Sequence, residues 1–292
     1  IVQLYKGPWV EALYTNTFLL TRIQQKTGVG EGVRWPVRYA GNTSAGSYAE
    51  GDAGAGAGNQ GFKKAFLSWK LNKVEVEVSG LAQAIGDNGG MIVPALRTEL
   101  DLGLSDMRGN INTQLMSDGS GNTAKDITGL YAAVADTGTY AGLDRGTYTW
   151  WKSYVSSNGG TERTLTEELM RDVKTTVEAR GGRVNAIYAG SKQWYAYGDI
   201  LRTERRQMNP TTLTGGYQAL DFEGVPLIKV PGYNQKRMDF VDEELLEYVV
   251  LKDFEAKPMA KTKDSDVIWV THYSQLVCRN PYRMGSLQDL AD

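Results

Sequence analysis

The sequence has very little of the chemistry that most catalytic sites need. It contains one histidine, His272, and one cysteine, Cys278, among 292 residues. General acid–base catalysis, zinc binding and activated nucleophiles draw heavily on these two residue types. Six residues apart in a predicted strand, the two side chains would lie ~20 Å apart at about 3.3 Å per residue. We therefore expect a histidine on the sheet surface and a buried thiol, with no catalytic residue, no metal site and no cofactor.

Two further absences narrow the class of protein. Thirty-two basic residues face thirty-four acidic ones, a net charge of −2, so the chain lacks the basic excess by which proteins neutralise phosphates. Tight binding of nucleic acid is therefore not expected to be its main task. No apolar run approaches the ~18 residues of a membrane-spanning helix, so no membrane partner is predicted. A hydrophobic content of 41% still provides for a normal globular core.

Residues 56–61 formally match the dinucleotide-binding pattern GxGxxG. That pattern works when it follows a strand and opens a helix whose N-terminus meets a pyrophosphate. Here it lies in a run of glycine and alanine and leads into a predicted strand. We interpret it as a flexible loop.

The segment after residue 30 predicts a long hairpin with a glycine-rich tip. Residues 33–39 alternate as a strand does, with Pro36 placing them at an edge, and residues 65–78 show the period-two pattern again. Between them, residues 41–61 are almost wholly small or acidic and include seven glycines. Such a tip cannot bury apolar surface within itself, and so long a loop is uncommon in a compact domain. We therefore expect residues 31–79 to form an extended hairpin that is ordered by another molecule.

The rest of the chain predicts a long helix followed by mixed helices and strands. Apolar residues recur every three or four positions from Ile92 to Leu115, which predicts a helix of about 40 Å at 1.5 Å per residue. Thr164 and Glu167 have the spacing of a capping box at the start of a later helix. Residues 184–189 and 225–230 predict buried strands, residues 191–201 a helix, and residues 267–279 a long closing strand. The expected fold class is α+β.

The order of these segments resembles the major capsid proteins of tailed double-stranded DNA bacteriophages, and more remotely the encapsulins. Short stretches in the same order carry the resemblance: residues 127–130, 187–190, 222–230 and 277–281. The resemblance implies the phage major capsid fold over nearly the whole chain. Its parts would be an N-terminal arm (1–30), an extended hairpin loop (31–79), a peripheral domain with a spine helix (80–129 and 254–292), and an axial α/β domain (130–253).

The resemblance also implies partners and a location. Such a protein assembles in the host cytoplasm as pentamers and hexamers, resides in the virion, and encloses double-stranded DNA that it contacts weakly. Portal, scaffold and decoration proteins are further partners of such a shell. The functional site is then a contact surface between copies. Candidate contact residues in the hairpin are Arg34, Trp35, Arg38, Tyr48, Phe62, Lys63, Lys64 and Trp69, and those in the axial domain are Arg202, Arg205 and Arg206.

Other interpretations stay open at this point. Lys63 and Lys64 also fit edge-blocking charges or crosslink donors, although no position matches a partner asparagine. The arginine cluster also fits a solvated helix end. For the whole chain, the alternatives are an encapsulin-type shell, a carboxylate-type glycosidase whose cleft uses some of the seven tryptophans, and a surface adhesin, which the predicted helices disfavour.

Overall fold

The computed structural model describes residues 17–51, 53, 56, 58–81, 84, 95–203, 211–212, 218–260 and 263–291. Its helices are α1 (Phe18–Arg22), α2 (Ala95–Met116), α3 (Gly121–Ala124), α4 (Leu130–Ala133), α5 (Glu167–Ala179) and α6 (Ser191–Thr203). Its strands are β1 (Gln24–Thr27), β2 (Gly32–Ala40), β3 (Gly61–Ser68), β4 (Lys70–Ser79), β5 (Thr139–Tyr140), β6 (Leu143–Asp144), β7 (Tyr154–Ser156), β8 (Ala186–Ala189), β9 (Thr211–Thr212), β10 (Gln218–Phe222), β11 (Val225–Lys229), β12 (Met238–Val241), β13 (Leu246–Pro258), β14 (Ser265–Cys278) and β15 (Gly285–Leu287).

Two sheets organise the described chain. A four-stranded sheet has the strand order β1-β13-β14-β4, and a seven-stranded sheet has the order β7-β15-β12-β8-β11-β10-β9. The first is mostly antiparallel, whereas the second mixes parallel and antiparallel neighbours. Strands β2 and β3 pair only with each other among the described strands and form a separate hairpin. This mixture of helices and sheets confirms the predicted α+β class.

The long helix α2 lies against one face of the four-stranded sheet. Ile111 and Leu115 are fully buried, as their position on the apolar stripe predicts. A Cβ atom at Gly103 would come within 3.1 Å of the Val76 side chain, so this glycine allows the helix and β4 to approach closely. The helix is confirmed over Ala95–Met116, while residues 92–94 of the prediction lie outside the described residues.

The strand predicted over residues 65–78 is two strands with different partners. β3 ends at Ser68 and pairs with β2, whereas β4 begins at Lys70 and pairs with β14 along its whole length. The hairpin therefore spans residues 32–68 in place of the predicted 31–79. The alternation of side chains continues on both sides of Trp69, so the pattern alone contains no sign that the pairing partner changes.

The chain passes between the two sheets more often than the predicted domain ranges imply. β13 enters the four-stranded sheet at Leu246, inside the range predicted as axial domain. β15 lies between β12 and β7 in the seven-stranded sheet, although its residues fall in the range predicted as peripheral domain. A strand of three residues, such as β15, has too short a pattern to be recognised in the sequence.

The N-cap of helix α5 lies two positions after the predicted capping residue. Thr166 is the N-cap, and its Oγ1 accepts a hydrogen bond from the backbone N–H of Leu169 at 3.3 Å. Thr164 was the predicted cap. Thr164 has Glu167 three residues after it, as a capping box requires, whereas Thr166 has Leu169 at that position, so the capping-box pattern points to the wrong threonine. In the described part of the chain, no helix is both long and apolar enough to cross a membrane.

Candidate assembly surface

The base of the hairpin belongs to the subunit's own core. Trp35 is 5% exposed, and its Nε1 donates a hydrogen bond to the backbone oxygen of Arg279 at 3.2 Å. The Arg279 guanidinium lies 5.5 Å from the centre of the Trp35 ring. On the partner strand, the backbone N–H of Phe66 donates to the oxygen of Ala141 at 2.9 Å. Trp35, predicted as a contact with another copy, therefore has little surface left for one.

Two more predicted contact residues are held at the base by local interactions. Arg34 pairs with the Glu31 carboxylate at 2.7 Å and lies 5.0 Å from the ring centre of Phe66. Trp69 is half-buried, and its Nε1 donates to the oxygen of Gly30 at 2.7 Å. Arg34 stays exposed and available to a neighbour, while Trp69 closes the junction between the hairpin and β4.

The middle of the hairpin rests on aromatic side chains that precede β7. Tyr39 stacks on Trp150 with ring centres 5.2 Å apart and an interplanar angle of 16°. The Lys63 ammonium lies 5.3 Å from the ring centre of Tyr148. Arg38 and Lys64 are exposed on the same stretch. These contacts hold the direction of the hairpin while its cations remain accessible to solvent.

The tip of the hairpin is the segment 41–60, and most of its described residues are exposed to solvent. Its described residues are exposed, apart from the half-buried Ser44 and Gly58. Tyr48 is 85% exposed and Phe62, at the start of β3, is 57% exposed. Large aromatic side chains bury 150–250 Å² when they pack, so Tyr48 and Phe62 offer apolar area that this subunit does not use.

The predicted arginine cluster of the axial region is only partly described. Arg202, in the last turn of α6, is exposed and pairs with Asp199 at 2.5 Å. Arg205 and Arg206 lie outside the described residues. On the same helix, the hydroxyl of the half-exposed Tyr195 accepts a hydrogen bond from Lys229 Nζ at 3.0 Å. No local pattern in the sequence indicates this pair, because the two residues meet only through the packing of α6 on β11.

A second exposed surface lies on the four-stranded sheet, on the side away from α2. We call it the outer sheet face, and it consists of Leu71, Lys73, Trp269, Thr271 and Tyr273. Leu71 is 64% exposed, and the Lys73 ammonium lies 4.1 Å from the centre of the Trp269 ring. Leu71 and Lys73 are exposed, Trp269, Thr271 and Tyr273 are half-buried, and all five line one open groove of about 730 Å³.

This surface was missed because residues 65–78 were assigned to the hairpin as a whole. Successive residues of a strand point to opposite faces, so Val74 and Val76 pack on α2 while Leu71 and Lys73 point away from it. The alternation of Trp269, Thr271 and Tyr273 indicates that these three side chains share one face of β14. The sequence does not show that β4 lies beside β14, so it does not show that Leu71 and Lys73 join them.

The two residue types that catalysis would need are both buried. His272 is 1% exposed, which corrects the prediction of a surface histidine, since Phe254 stacks on its ring at 4.3 Å. Cys278 is buried as predicted, and burial raises the pKa of its thiol to about 12. Among the described residues, no three His, Cys, Asp or Glu side chains gather in a way that could hold a metal ion.

The fold has clear relatives among solved shell proteins. The structure matches the cyanophage A-1(L) capsid asymmetric unit with a TM-score of 0.81 at 16% identity, covering 100% of this chain and 98% of that one. It matches the holo-SrpI encapsulin of Synechococcus elongatus PCC 7942 with a TM-score of 0.68 at 14% identity, over 98% and 92% of the chains. It matches the capsid of the native GTA particle with a TM-score of 0.67 at 12% identity, over 99% and 95%. No curated protein sequence matches.

These structural matches confirm the predicted phage major capsid fold, which encapsulins share. The sequence itself matches the family model of the SU10 major capsid protein over residues 15–291. That match supports a structural shell role in the virion in preference to the glycosidase and adhesin hypotheses. Since it covers nearly the whole chain, this chain belongs to the SU10 major capsid protein family.

Proposed function

We propose that this capsid protein forms an icosahedral shell of pentamers and hexamers around double-stranded DNA, held together by the hairpin of each copy lying across a neighbour. The observation that carries the proposal is the contrast within the hairpin. Its base is fixed by Trp35 and Phe66 in the subunit's own core, whereas the described tip is exposed. A two-stranded hairpin is marginally stable alone, so a tip extended this far gains most from a second copy.

The outer sheet face is the surface that best fits the tip of a neighbouring hairpin. Residues 41–60 carry the carboxylates of Glu50 and Asp52 and contain no lysine or arginine. On the outer sheet face, Lys73 lies beside Lys125 in the same groove, whereas the carboxylates of Glu75 and Glu77 follow farther along β4. Complementary charges of this kind fix register and suppress wrong partners.

Apolar contact at the same place adds to the charge pairing. Tyr48 of the tip is 85% exposed, and Leu71 of the outer sheet face is 64% exposed. Burying such side chains contributes about 1.5–3 kcal/mol each. Each contact between copies is modest, but a closed symmetric lattice repeats it at every subunit.

A charge-reversal experiment tests this contact. We expect Glu50→Lys and Lys73→Glu each to lower the yield of closed shells, because each places like charges opposite one another, and the double variant to restore it. Shell yield is measured by light scattering and negative-stain microscopy. Glu168→Lys, an exposed carboxylate on α5, is the matched control for the change in net charge.

Two outcomes would argue against the tip-to-face contact. One is that both single variants assemble as well as the control. The other is that the double variant assembles no better than the single ones. In either case the tip meets a different surface, while the family's shell role is unaffected.

The remaining contacts follow from the same arrangement. We propose that the exposed end of α6, with Arg202 and the Tyr195–Lys229 pair, meets other copies around the symmetry axes. The net charge of −2 limits repulsion among packed copies and suits weak, non-specific contact with packaged DNA. Portal, scaffold and decoration proteins and assembly in the host cytoplasm belong to this proposal. Nucleic acid extracted from purified particles distinguishes it from an encapsulin-type shell, which would hold protein cargo.

A further inference from the structure

In the long hairpin of β13 and β14, the burial of β13 decreases halfway along its length. Residues 246–250 of β13 are buried, and the residues that follow are half-buried or exposed. The register shifts twice at this point: Lys252 pairs with Tyr273, and Glu255 pairs with Thr271. Two residues, Asp253 and Phe254, therefore lie opposite the single residue between those partners, His272. Such a bulge interrupts the ladder and bends the strand, so it divides a buried inner half from an outer half in which β13 is exposed and β14 stays paired with β4.

The only histidine of the chain lies at this bulge. Its ring stacks on Phe254 with centres 4.3 Å apart and an interplanar angle of 16°. Its Nε2 lies 2.8 Å from the hydroxyl of Tyr248, which donates a hydrogen bond to Ser274 Oγ at 2.8 Å. Both of these partners belong to the inner half of the hairpin, whereas Phe254 belongs to the bulge. The imidazole therefore joins the inner half to the start of the outer half.

The other ring nitrogen, Nδ1, has no hydrogen-bond partner among the described residues. The nearest carboxylate oxygen, Oδ1 of Asp253, is 3.7 Å away, and it already accepts a hydrogen bond from the backbone N–H of Phe254 at 2.8 Å. A protonated imidazole donates from both nitrogens. Its Nδ1–H would thus be buried without an acceptor unless Asp253 moves onto the ring.

The surroundings of the ring favour its neutral form. Burial lowers the pKa of His272, and the Asp253 carboxylate only partly opposes this. Tyr248 is also neutral, because burial raises the pKa of its phenol. From α2, the Arg108 guanidinium lies 5.4 Å from the ring centre of Phe254 and adds positive charge on that side. From β4, the residue paired with His272 is the uncharged Asn72.

We propose that His272 makes this bulge a pH-sensitive hinge: uptake of a proton at Nδ1 draws Asp253 onto the ring, breaks the stack with Phe254, and loosens the outer half of the hairpin from the inner half. Because the closed hinge holds a histidine with a lowered pKa, it binds a proton less readily than the open hinge. The closed form is therefore fully stable above the ordinary histidine value of about 6.5 and loses stability as the pH falls below it.

The single histidine allows a direct test on assembled particles and on free subunits. Mass spectrometry of the slow hydrogen exchange at the imidazole C2 gives the titration midpoint of His272, because the chain has no second histidine. Amide hydrogen exchange, corrected for its intrinsic pH dependence, is followed in the same samples from about pH 7.5 to about pH 5. We expect protection of residues 255–260 of β13 to fall by up to about tenfold per pH unit below the midpoint, and protection of residues 265–271 to fall less, because β14 also pairs with β4. Residues 246–250 and 274–278 should keep their protection.

Two variants separate the hinge from general acid destabilisation. His272→Gln remains neutral at every pH and should remove the acid response of the outer half. Asp253→Asn, at a side chain that is 76% exposed, should fold normally and shift the response to lower pH, because the proton loses its carboxylate. An unchanged outer half in the wild type across this pH range would overturn the proposal, as would an undiminished response in His272→Gln. If His272→Gln does not fold, an equal midpoint in the wild type and Asp253→Asn would overturn it.

Discussion

At the scale of single residues, one buried ion pair ties β12 to the segment after α4. Arg237 and Asp239 are both buried, with Nε and Oδ1 2.8 Å apart. Asp239 also accepts a hydrogen bond from the hydroxyl of Tyr233, and Arg237 Nη2 donates to the backbone oxygen of Val134 at 2.5 Å. Removing one partner of such a pair leaves a buried charge uncompensated.

We therefore expect Asp239→Ala to lower the free energy of unfolding by roughly 3–5 kcal/mol. Lys236→Met, one residue before Arg237, is the matched control. It removes an exposed pair with Glu162, and pairs of that kind contribute less than about 1 kcal/mol. Chemical denaturation of the unassembled subunit measures both. If both variants lower the free energy of unfolding equally, the buried pair stabilises the subunit no more than the exposed pair does.

The burial of individual residues was the hardest property to predict from the sequence. Trp35 alternates with arginines and so was expected on a contact surface, but Arg279, 244 residues later, covers it. His272 lies in an amphipathic strand, and a bulge in β13 places Phe254 over it. In both cases the deciding contact depends on a partner far along the chain or on an irregularity that has no sequence period.

At the scale of elements, we expect the hairpin tip to be separable from the fold. Its described residues are exposed apart from the half-buried Ser44 and Gly58, and the anchoring contacts of Trp35 and Phe66 lie at the base. We expect replacement of residues 41–60 by Asn-Gly, a turn that suits two-residue hairpins, to leave a folded subunit that no longer forms closed shells. Thermal unfolding and light scattering measure the two effects.

The control for this replacement is a scrambled tip of the same length, which keeps the reach of the hairpin but moves Glu50 and Tyr48. Partial assembly of the scrambled protein would separate the contribution of length from that of the charged and aromatic side chains. If the shortened protein fails to fold while the intact subunit folds alone, the tip is part of the subunit's own structure.

Elements with a sustained period were predictable. The apolar stripe gave α2, and the alternation of residues 267–279 gave β14, which spans Ser265–Cys278. The division between β3 and β4 was not predictable, because both sides of Trp69 show the same period. A strand reveals in its sequence which face is buried, but not which strand lies beside it.

At the scale of the whole molecule, the order of segments predicted the fold better than any single motif did. No local motif was diagnostic, yet the order of hairpin, long helix, mixed region and closing strand led to the fold that the structure shows. The domain ranges were less accurate, because β13 and β15 join sheets outside the ranges predicted for them. Short strands at sheet edges follow tertiary packing, and the sequence contains no boundary signal for them.

We propose that the hairpin of each copy builds the shell by covering a neighbour. Cryo-electron microscopy of purified particles tests it most directly, because it shows which surfaces meet. We expect closed icosahedral shells in which residues 41–60 of one copy contact the outer sheet face of the next. A protein that stays monomeric at every salt concentration and pH, or a shell whose hairpin tips contact only their own subunits, would contradict it.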